Sequence, residues 1–293
     1  MKAIILKLLL LLLITESSAL AVTSDTTLNF DSFKDIGPFQ YKVEENFEIR
    51  VSKDEIVKTD IFLVESREKK PLLIFQHGNK AHKGVHKEQA KRAASWGFNV
   101  ITVEQPNVKR WLTNGKVLSN LTKLLYKWPQ ILNSKFDKEN IILIGHSFGG
   151  SAASIAAGSG APAKGIILLD PALVSNKVIP YLKKINTQVA LLGADPKIFK
   201  SRRRQKFYRN IKKNMIEVSI KGSTHNDAQY PNLFSLKQTM GIEHATNRKK
   251  QNTFLSAILT AAYSISKKND LSFFYKEMKK KRREGTLSFM RSK

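Results

Sequence analysis

Residues 141–151 read Ile-Ile-Leu-Ile-Gly-His-Ser-Phe-Gly-Gly-Ser, so four aliphatic residues lead directly into a Gly-x-Ser-x-Gly motif. An alanine-rich run follows at 152–157. This pattern predicts a buried strand, a sharp turn at Ser147 and a helix that packs close to a sheet. Gly145 and Gly149 leave room for the turn, which lifts the serine oxygen clear of the backbone. Ser147 is therefore the candidate nucleophile.

His225 is the candidate base for that serine. It lies in a polar loop at 222–227, directly after an alternating strand-like segment. A loop at the end of a strand can bring an imidazole over a serine hydroxyl and take its proton. His244, the other histidine beyond Ser147, has no strand before it and is expected on the surface. His146, next to the serine, is expected to have a structural role.

Two aspartates compete for the role of the acid that orients the base. Asp170 and Asp195 each end an apolar strand-like run, and each is followed by a proline. In an open parallel sheet, catalytic groups collect at the carboxyl ends of the strands, so position alone does not separate the two. The aspartate that is not the acid is expected to cap a helix or order the proline turn.

Three motifs together resemble serine hydrolases of the α/β-hydrolase superfamily: Gly-His-Ser-Phe-Gly-Gly at 145–150, Leu-Leu-Asp-Pro at 168–171 and Gly-Ser-x-His at 222–225. They look in particular like platelet-activating-factor acetylhydrolases, chlorophyllases and cutinase-like esterases. The resemblance implies a Ser-His-Asp triad. The acid would be Asp170 by analogy with the first two groups and Asp195 by analogy with the cutinase-like enzymes, and we favour Asp170.

The same resemblance, which covers about residues 60–265, implies an oxyanion hole in the loop after the strand at 71–76. In esterases with a His-Gly loop, backbone N–H groups hold the oxyanion. The corresponding donors here are the N–H groups of Asn79 and Phe148. Because these donors belong to the backbone, the turn matters more than the side chains.

No metal and no other cofactor is predicted. His77, His82 and His86 lie close together in the sequence, but no cysteine or acid completes a ligand set with them before Glu88. A structural or catalytic zinc site requires three or four such ligands.

The whole chain predicts an α/β-hydrolase fold, with a mostly parallel central sheet and helices on both faces. Apolar strand-like runs alternate with helical stretches from residue 71 onward, and an alternating segment at 27–65 predicts antiparallel edge strands. The segment between Asp170 and Gln188 is too short for a cap domain, and an open site suits bulky, polymeric or interfacial esters. Trp111 is assigned either to an acyl pocket or to the core.

The first residues predict export. A charged start, a short apolar run and an Ala-x-Ala site at 19–21 are typical of a signal peptide, so we expect cleavage after Ala21 and a periplasmic or secreted product. Residues 22–293 are expected to form a single domain with a basic C-terminal helix. The sequence has no cysteine, so burial of a core must supply its stability.

The net charge of +26 is the second compositional signal. Basic residues peak at 200–206 and 279–283, and we expect both runs on the surface, with Arg202, Arg203 and Arg204 contacting anionic vesicles. The partners that fit are an anionic membrane or an acidic polymer, unless the face is simply solvated. Aromatic residues do not interleave with the runs, so no specific nucleic-acid partner is expected. The chain is expected to be monomeric.

These expectations describe an exported serine hydrolase, a carboxylesterase or lipase-like enzyme that works through an acyl-enzyme on an ester or lipid substrate. Two alternatives stay open. The same triad could serve an acyltransferase or an amidase, or the chain could be a binding protein on a hydrolase scaffold.

Overall fold

A computed structural model of the chain describes residues 28–107, 110–132, 136–198, 202–231 and 247–293, with only the backbone described at 202 and 203. The predicted signal peptide at 1–21 and His244 lie outside the described residues. No helix in the described ranges is long and apolar enough to cross a membrane.

A nine-stranded mixed sheet runs through the described residues. Its strands are β1 (Tyr41–Arg50), β2 (Ile56–Val64), β3 (Lys70–Gln76), β4 (Asn99–Val103), β5 (Phe136–His146), β6 (Gly165–Leu169), β7 (Gln188–Gly193), β8 (Met215–Ile220) and β9 (Leu287–Ser292). They are ordered β1-β2-β4-β3-β5-β6-β7-β8-β9. The pairings from β4 through β3 and β5 to β8 are parallel, whereas β1–β2, β2–β4 and β8–β9 are antiparallel. The predicted mostly parallel sheet with antiparallel N-terminal strands is confirmed.

Helices cover both faces of this sheet. They are α1 (Lys87–Ser95), α2 (Trp111–Lys127), α3 (Phe148–Gly158), α4 (Ile179–Lys184), α5 (Arg202–Asn210), α6 (Arg248–Tyr263) and α7 (Ser272–Arg283). Residues of α1, α6 and α7 belong to one hydrophobic core, and residues of α2 to α5 belong to the other. Side chains along β3 alternate between the two cores, with Leu73 and Phe75 in the first and Leu72 and Ile74 in the second. Burial on both faces explains why the central strands read as continuous apolar runs.

The order of the strands reverses at β3, which has β4 on one side and β5 on the other. In open α/β sheets, ligands bind at the carboxyl ends of the strands near such a reversal. The carboxyl ends of β3, β5, β6, β7 and β8 lie at one edge because these strands are parallel. The loops that follow them carry His77, Ser147, Asp170, Asp195 and His225.

The connection from β6 to β7 contains only a 3₁₀ turn at Asn176–Val178 and the short helix α4. The predicted basic helix near the C-terminus is α7, but it is not the last element. It is followed by β9, which pairs with β8 and which the sequence analysis did not predict. Two of its central residues, Phe289 and Met290, are only partly buried, so the strand lacks the apolar run that marks the strands of the interior.

Helices α2 and α3 cross closely at Gly115. A Cβ atom at this position would lie 2.5 Å from the Cβ and 2.6 Å from the Cγ2 of Ile155. Because both Cβ atoms are fixed by the backbone, the clash could be relieved only by moving one of the helices. This crossing matters for the sheet edge because Trp111 is the first residue of α2 and Ser147 directly precedes α3.

We predict that Gly115→Ala destabilises the protein, although alanine is the better helix former by about 1 kcal/mol. Overpacking costs about 1–3 kcal/mol and should exceed that gain. Urea unfolding would measure the difference, with Asn120→Ala as the control because Asn120 is exposed on the same helix. The control should be slightly stabilised, and a stabilised Gly115→Ala would contradict the close crossing.

Candidate active site

Ser147 occupies a strained turn between β5 and α3. Its backbone has φ 53° and ψ −119°, a combination that residues other than glycine rarely adopt. Hydrogen bonds that continue the sheet hold the turn: the Ser147 N–H donates to the Leu169 carbonyl at 3.0 Å, and the Ala172 N–H donates to the Ser147 carbonyl at 2.9 Å. Ser147 is 9% exposed, so it lies at the surface of the sheet edge without projecting from it.

Glycines make this turn possible because other chain segments approach it closely. A Cβ on Gly149 would lie 2.4 Å from the carbonyl oxygen of Gln76 at the end of β3. A Cβ on Gly145 would lie 2.3 Å from the carbonyl oxygen of Gly149. Neither neighbour is a flexible side chain, so both positions require glycine for steric reasons. The motif that the sequence offered as a turn signal therefore also fixes how closely α3 packs against β3.

Asp170 and His225 are brought into direct contact. The Nδ1 atom of His225 lies 2.6 Å from Oδ2 of Asp170, and because a carboxylate can only accept, Nδ1 carries the proton and donates it. Asp170 follows β6 with φ 37°, so this aspartate, like Ser147, has a backbone conformation that costs free energy. The side chain of Asp170 is 1% exposed and that of His225 is 23% exposed. The pair therefore joins a buried anion to an imidazole that solvent or a ligand can reach.

The carboxylate of Asp170 is surrounded by donors. Its other oxygen, Oδ1, accepts from the Ala194 backbone N–H at 3.0 Å and from Nη1 of Arg204 at 2.9 Å. Burial by itself raises the pKa of Asp170, but the hydrogen bond from His225 and the charges of His225 and Arg204 outweigh it. The pKa of this carboxyl therefore lies below its ordinary value of 3.8, and the group is an anion at neutral pH.

Asp195 has a different role. Its Oδ2 accepts from the Gly222 N–H at 2.7 Å and its Oδ1 accepts from the Lys197 N–H at 3.0 Å. The Asp195 N–H donates to the Ser223 carbonyl at 3.1 Å. Asp195 thus fastens the loop after β7 to the loop that carries His225, and of the two competing aspartates it is Asp170 that contacts the imidazole.

The loop that carries His225 begins with a capping box. The Asp227 carboxylate accepts from the Thr224 N–H at 2.7 Å and from the Thr224 hydroxyl at 3.0 Å, and it also accepts from the Asn247 N–H at 2.7 Å. The Asp227 carboxylate therefore binds two backbone N–H groups and one hydroxyl group. These bonds order the 3₁₀ turn that begins at His225.

His146 connects the serine turn to this loop. Its Nε2 lies 3.0 Å from the His225 carbonyl, to which it must donate, and its Nδ1 lies 2.8 Å from the side-chain amide nitrogen of Gln229, from which it accepts. The rings of His146 and His225 lie 4.5 Å apart. Burial lowers the pKa of His146 well below its ordinary value of 6.5, and the neighbouring His225 and His86 lower it further. A neutral His146 with one donor and one acceptor thus connects the Ser147 turn to the His225 loop, which is the structural role expected of it.

A second buried histidine supports the same loop from the other side. Nδ1 of His86 lies 2.5 Å from Oε1 of Gln89, and the side-chain amide of Gln89 donates to the Ala228 carbonyl at 3.0 Å. Nε2 of His86 has no hydrogen-bond partner in the part of the chain that the structure describes. Burial, with smaller effects of His77 and His82, lowers the pKa of His86 from 6.5 to about 4 despite the bond to Gln89.

The loop after β3 lies against the turn at Ser147. A Cβ on Gly78 would lie 2.9 Å from the Ser147 Cβ, so this loop touches the turn. Of the two predicted oxyanion donors, Asn79 lies in this loop and Phe148 directly follows Ser147. His77 orders the loop, since its Nδ1 lies 2.7 Å from the Gly78 carbonyl.

An open cleft of about 470 Å³ begins next to these donors. It is lined by Arg110, Trp111, Leu112, Thr113, Phe148, Val174 and Ser175. Trp111 packs edge-on against Phe148, with ring centroids 5.5 Å apart, and is 7% exposed. The two assignments of Trp111, to the core and to a substrate pocket, are therefore compatible, because one edge of the ring is packed and another lines the cleft.

Three further expectations concern metals and charge. Among the described residues, no group of three histidine, cysteine or acidic side chains could hold a metal ion. Part of the basic run at 200–206 lies outside the described residues. Within that run, the expectation that Arg204 is a surface residue is wrong, because it is 5% exposed and bonded to Asp170. In the second run, Lys281 is also buried, and its Nζ contacts Asp31 and Glu284 at 2.7 Å.

Sequence reasoning missed two kinds of functional residue. Arg204 was read as part of a charge run, and Gln89 and Gln229 carried no recognisable motif. The position of Arg204 does contain a signal, since Phe207 and Ile211 follow it at helical spacing and are fully buried. That spacing places Arg204 on the inner face of α5.

No protein-family model matches the chain, and no curated protein matches its sequence. The function of the site is therefore inferred from its geometry.

We predict that His86 makes the protein lose stability in mild acid. The unfolded chain binds a proton at His86 below about pH 6.5, whereas the folded chain resists protonation until about pH 4, so stability falls as pH drops through this window. The loss attributable to His86 is about 3 kcal/mol. Urea unfolding between pH 7 and pH 4 should show a shallower decline in His86→Asn, which does not titrate. Exposed His82→Asn is the control, and equal declines in wild type and His86→Asn would contradict the prediction.

Proposed function

We propose that the chain is a serine hydrolase with an α/β-hydrolase fold that cleaves carboxylic esters through a Ser147-His225-Asp170 triad. The observation that carries the proposal is the 2.6 Å contact between His225 and Asp170 at the sheet edge where Ser147 occupies its strained turn. A serine after β5, a buried carboxylate after β6 and an imidazole after β8, all at one edge of the parallel strands, are the parts that nucleophilic acyl transfer needs.

The protonation of His225 supports this chemistry. Because Nδ1 donates its hydrogen to Asp170, the lone pair of the neutral ring is on Nε2. In the proposed reaction, Nε2 takes the proton of the Ser147 hydroxyl as Oγ bonds to the carbonyl carbon of the ester. The imidazolium then gives that proton to the departing alcohol, which leaves an acyl-enzyme. Water repeats the sequence, releases the carboxylic acid and regenerates Ser147.

The negative charge on the tetrahedral oxygen would be held by the N–H groups of Asn79 and Phe148. The Phe148 N–H lies at the first position of α3, where the helix dipole adds partial positive charge. Each donor of this kind contributes about 3 kcal/mol of transition-state stabilisation.

The cleft beside Phe148 is the proposed site for one substituent of the ester. Trp111, Leu112 and Val174 give it an apolar lining, and Arg110 lies at its rim. A cleft of about 470 Å³ accepts a ligand the size of a small lipid or aryl ester. Export through the predicted signal peptide would place this reaction in the periplasm or outside the cell, and the net charge of +26 would favour substrates at anionic surfaces.

We predict that Ser147→Ala abolishes hydrolysis of a short chromogenic ester and labelling by a fluorophosphonate probe. Turnover should fall by a factor on the order of 10⁴ to 10⁶, and His225→Ala should lose a comparable factor because triad members act as a unit. Ser159→Ala, at the end of the helix that Ser147 precedes, is the control and should retain both activities. If folded Ser147→Ala kept most of its activity, the serine would not be the nucleophile. If the wild type took no label, a binding protein on the same scaffold would be the better explanation.

A second prediction separates the two aspartates. Asp170→Asn should lower turnover by about 10⁴-fold, because an amide no longer selects the required tautomer of His225. Asp195→Asn keeps one of the two acceptor oxygens that bind the Gly222 and Lys197 N–H groups, and it should lower turnover less than about tenfold, since one hydrogen bond contributes about 1 kcal/mol. Both variants would be assayed with the same ester after thermal melting has established that they are folded. A larger loss in Asp195→Asn would reassign the acid.

A further inference from the structure

Arg204 binds the carboxylate of Asp170 and the turn that follows β7. Its Nη1 donates to Oδ1 of Asp170 at 2.9 Å and to the Ala194 carbonyl at 2.8 Å. Its Nε lies 3.1 Å from Oε1 of Glu217. The guanidinium therefore uses two edges of its planar fork at once, which an ammonium group cannot do.

This contact belongs to a buried row of alternating charges. Asp170, Arg204 and Glu217 all have side chains less than 10% exposed, and Glu217 is paired at its other oxygen with Arg291 of β9, at 2.6 Å from Nη2 and 2.7 Å from Nε. Arg291 is one-third exposed, so the row runs from the sheet edge to the surface. Two anions and two cations alternate, and each buried charge has a partner on both sides or a backbone donor.

The chain leaves space for the guanidinium. A Cβ on Gly193, the last residue of β7, would lie 1.8 Å from Nη1 of Arg204 and 2.5 Å from its Cζ. Any other residue at 193 would push the guanidinium away from Asp170. The contact of Arg204 with Asp170 therefore requires a glycine at 193, where β7 packs against α5.

We propose that Arg204 is a positioning residue that fixes the carboxylate of Asp170 in the orientation from which Oδ2 accepts the His225 proton. The inference rests on the proposed function, in which Asp170 orients the base. A carboxylate held at one oxygen can rotate about its Cβ–Cγ bond. Here His225 binds Oδ2, while Oδ1 is bound by the Ala194 N–H and by Arg204, whose charge-assisted bond is the stronger restraint on that oxygen.

The charge of Arg204 has a second consequence. The charged groups that face the Asp170–His225 pair are Arg204 from α5 and, beyond it, Glu217 from β8 and Arg291 from β9, while His146 at the end of β5 is neutral. Arg204 partly neutralises Asp170 and so competes with the imidazolium for its charge. Removing Arg204 should let Asp170 stabilise a protonated His225 more strongly.

The first experiment compares Arg204→Met with Arg204→Lys in the ester assay. Arg204→Met should lower kcat on the order of 10- to 100-fold while KM changes little, because Arg204 supports a reacting group from behind and touches no substrate. Arg204→Lys keeps the charge but loses the planar, forked set of N–H donors, so its kcat should lie between those of the wild type and Arg204→Met. Arg209→Met makes the same chemical change at an exposed position of the same helix and should keep wild-type kcat.

A structural role alone is tested with Glu217→Gln. This variant weakens the buried row but leaves Arg204 on Asp170, so it should lower the melting temperature and change kcat far less than Arg204→Met does. If kcat followed the melting temperature equally in both variants, the row would serve stability only and the proposal would be overturned.

The second experiment does not depend on turnover. With ¹⁵N-histidine labelling, the His225 signals are assigned by their loss in His225→Gln, and the imidazole is titrated. In Arg204→Met the titration midpoint of His225 should rise by about 0.5 to 1 pH unit, whereas Arg204→Lys and Arg209→Met should stay near wild type. The same rise should appear in the acidic limb of the pH profile of kcat/KM.

These measurements separate the two proposals. An unchanged His225 midpoint together with wild-type kcat in Arg204→Met would overturn the role of Arg204 and leave the hydrolase intact. If the wild type hydrolysed no ester, the proposed function would fail, and the NMR titration would still decide whether Arg204 controls the Asp170–His225 pair.

Discussion

The buried carboxylate of Asp170 is the constraint on which the rest of the site depends. Taking this anion out of water is costly, and the structure offsets the cost with three donors from three different places: His225, the Ala194 N–H and Arg204. Each donor fixes a separate part of the fold, namely the loop after β8, the turn after β7 and helix α5. The charge of Asp170, which follows β6, therefore ties together the loops after β7 and β8 and the helix α5.

The backbone at the site is strained where the chemistry is proposed. Ser147, Asp170 and Lys80 are three of six non-glycine residues with positive φ in the described residues, and all three lie in loops at the same sheet edge. Such conformations cost about 1–3 kcal/mol each and persist only where the surroundings enforce them. Here the enforcement is visible, because hydrogen bonds from the sheet continue into the turn at Ser147 and α3 packs against the end of β3 through Gly149.

The sequence predicted what depends on local pattern. Apolar runs located the central strands, and the glycine spacing located the turn at Ser147. The strand-end pattern did not separate Asp170 from Asp195, since both are followed by proline and differ only in where the loop directs the carboxylate, and only the resemblance favoured Asp170. The sequence analysis also missed β9, because an edge strand paired on one side needs no continuous apolar run. The sequence also could not predict that His86 and Gln89 support the His225 loop, since Gln89 and Ala228, which it binds, lie far apart in the chain.

Arg204 shows why a charge run is a poor guide to the surface. The run was read as one solvated face, yet a helix turns by about 100° per residue, so consecutive arginines must point in different directions. The residues three and seven positions beyond Arg204 are Phe207 and Ile211, both in the core, and this stripe requires Arg204 to face inward. An inward arginine in turn requires anions to meet it, and Asp170 and Glu217 are those anions. Part of the basic composition is therefore used inside the protein, where it holds the carboxylate that contacts His225.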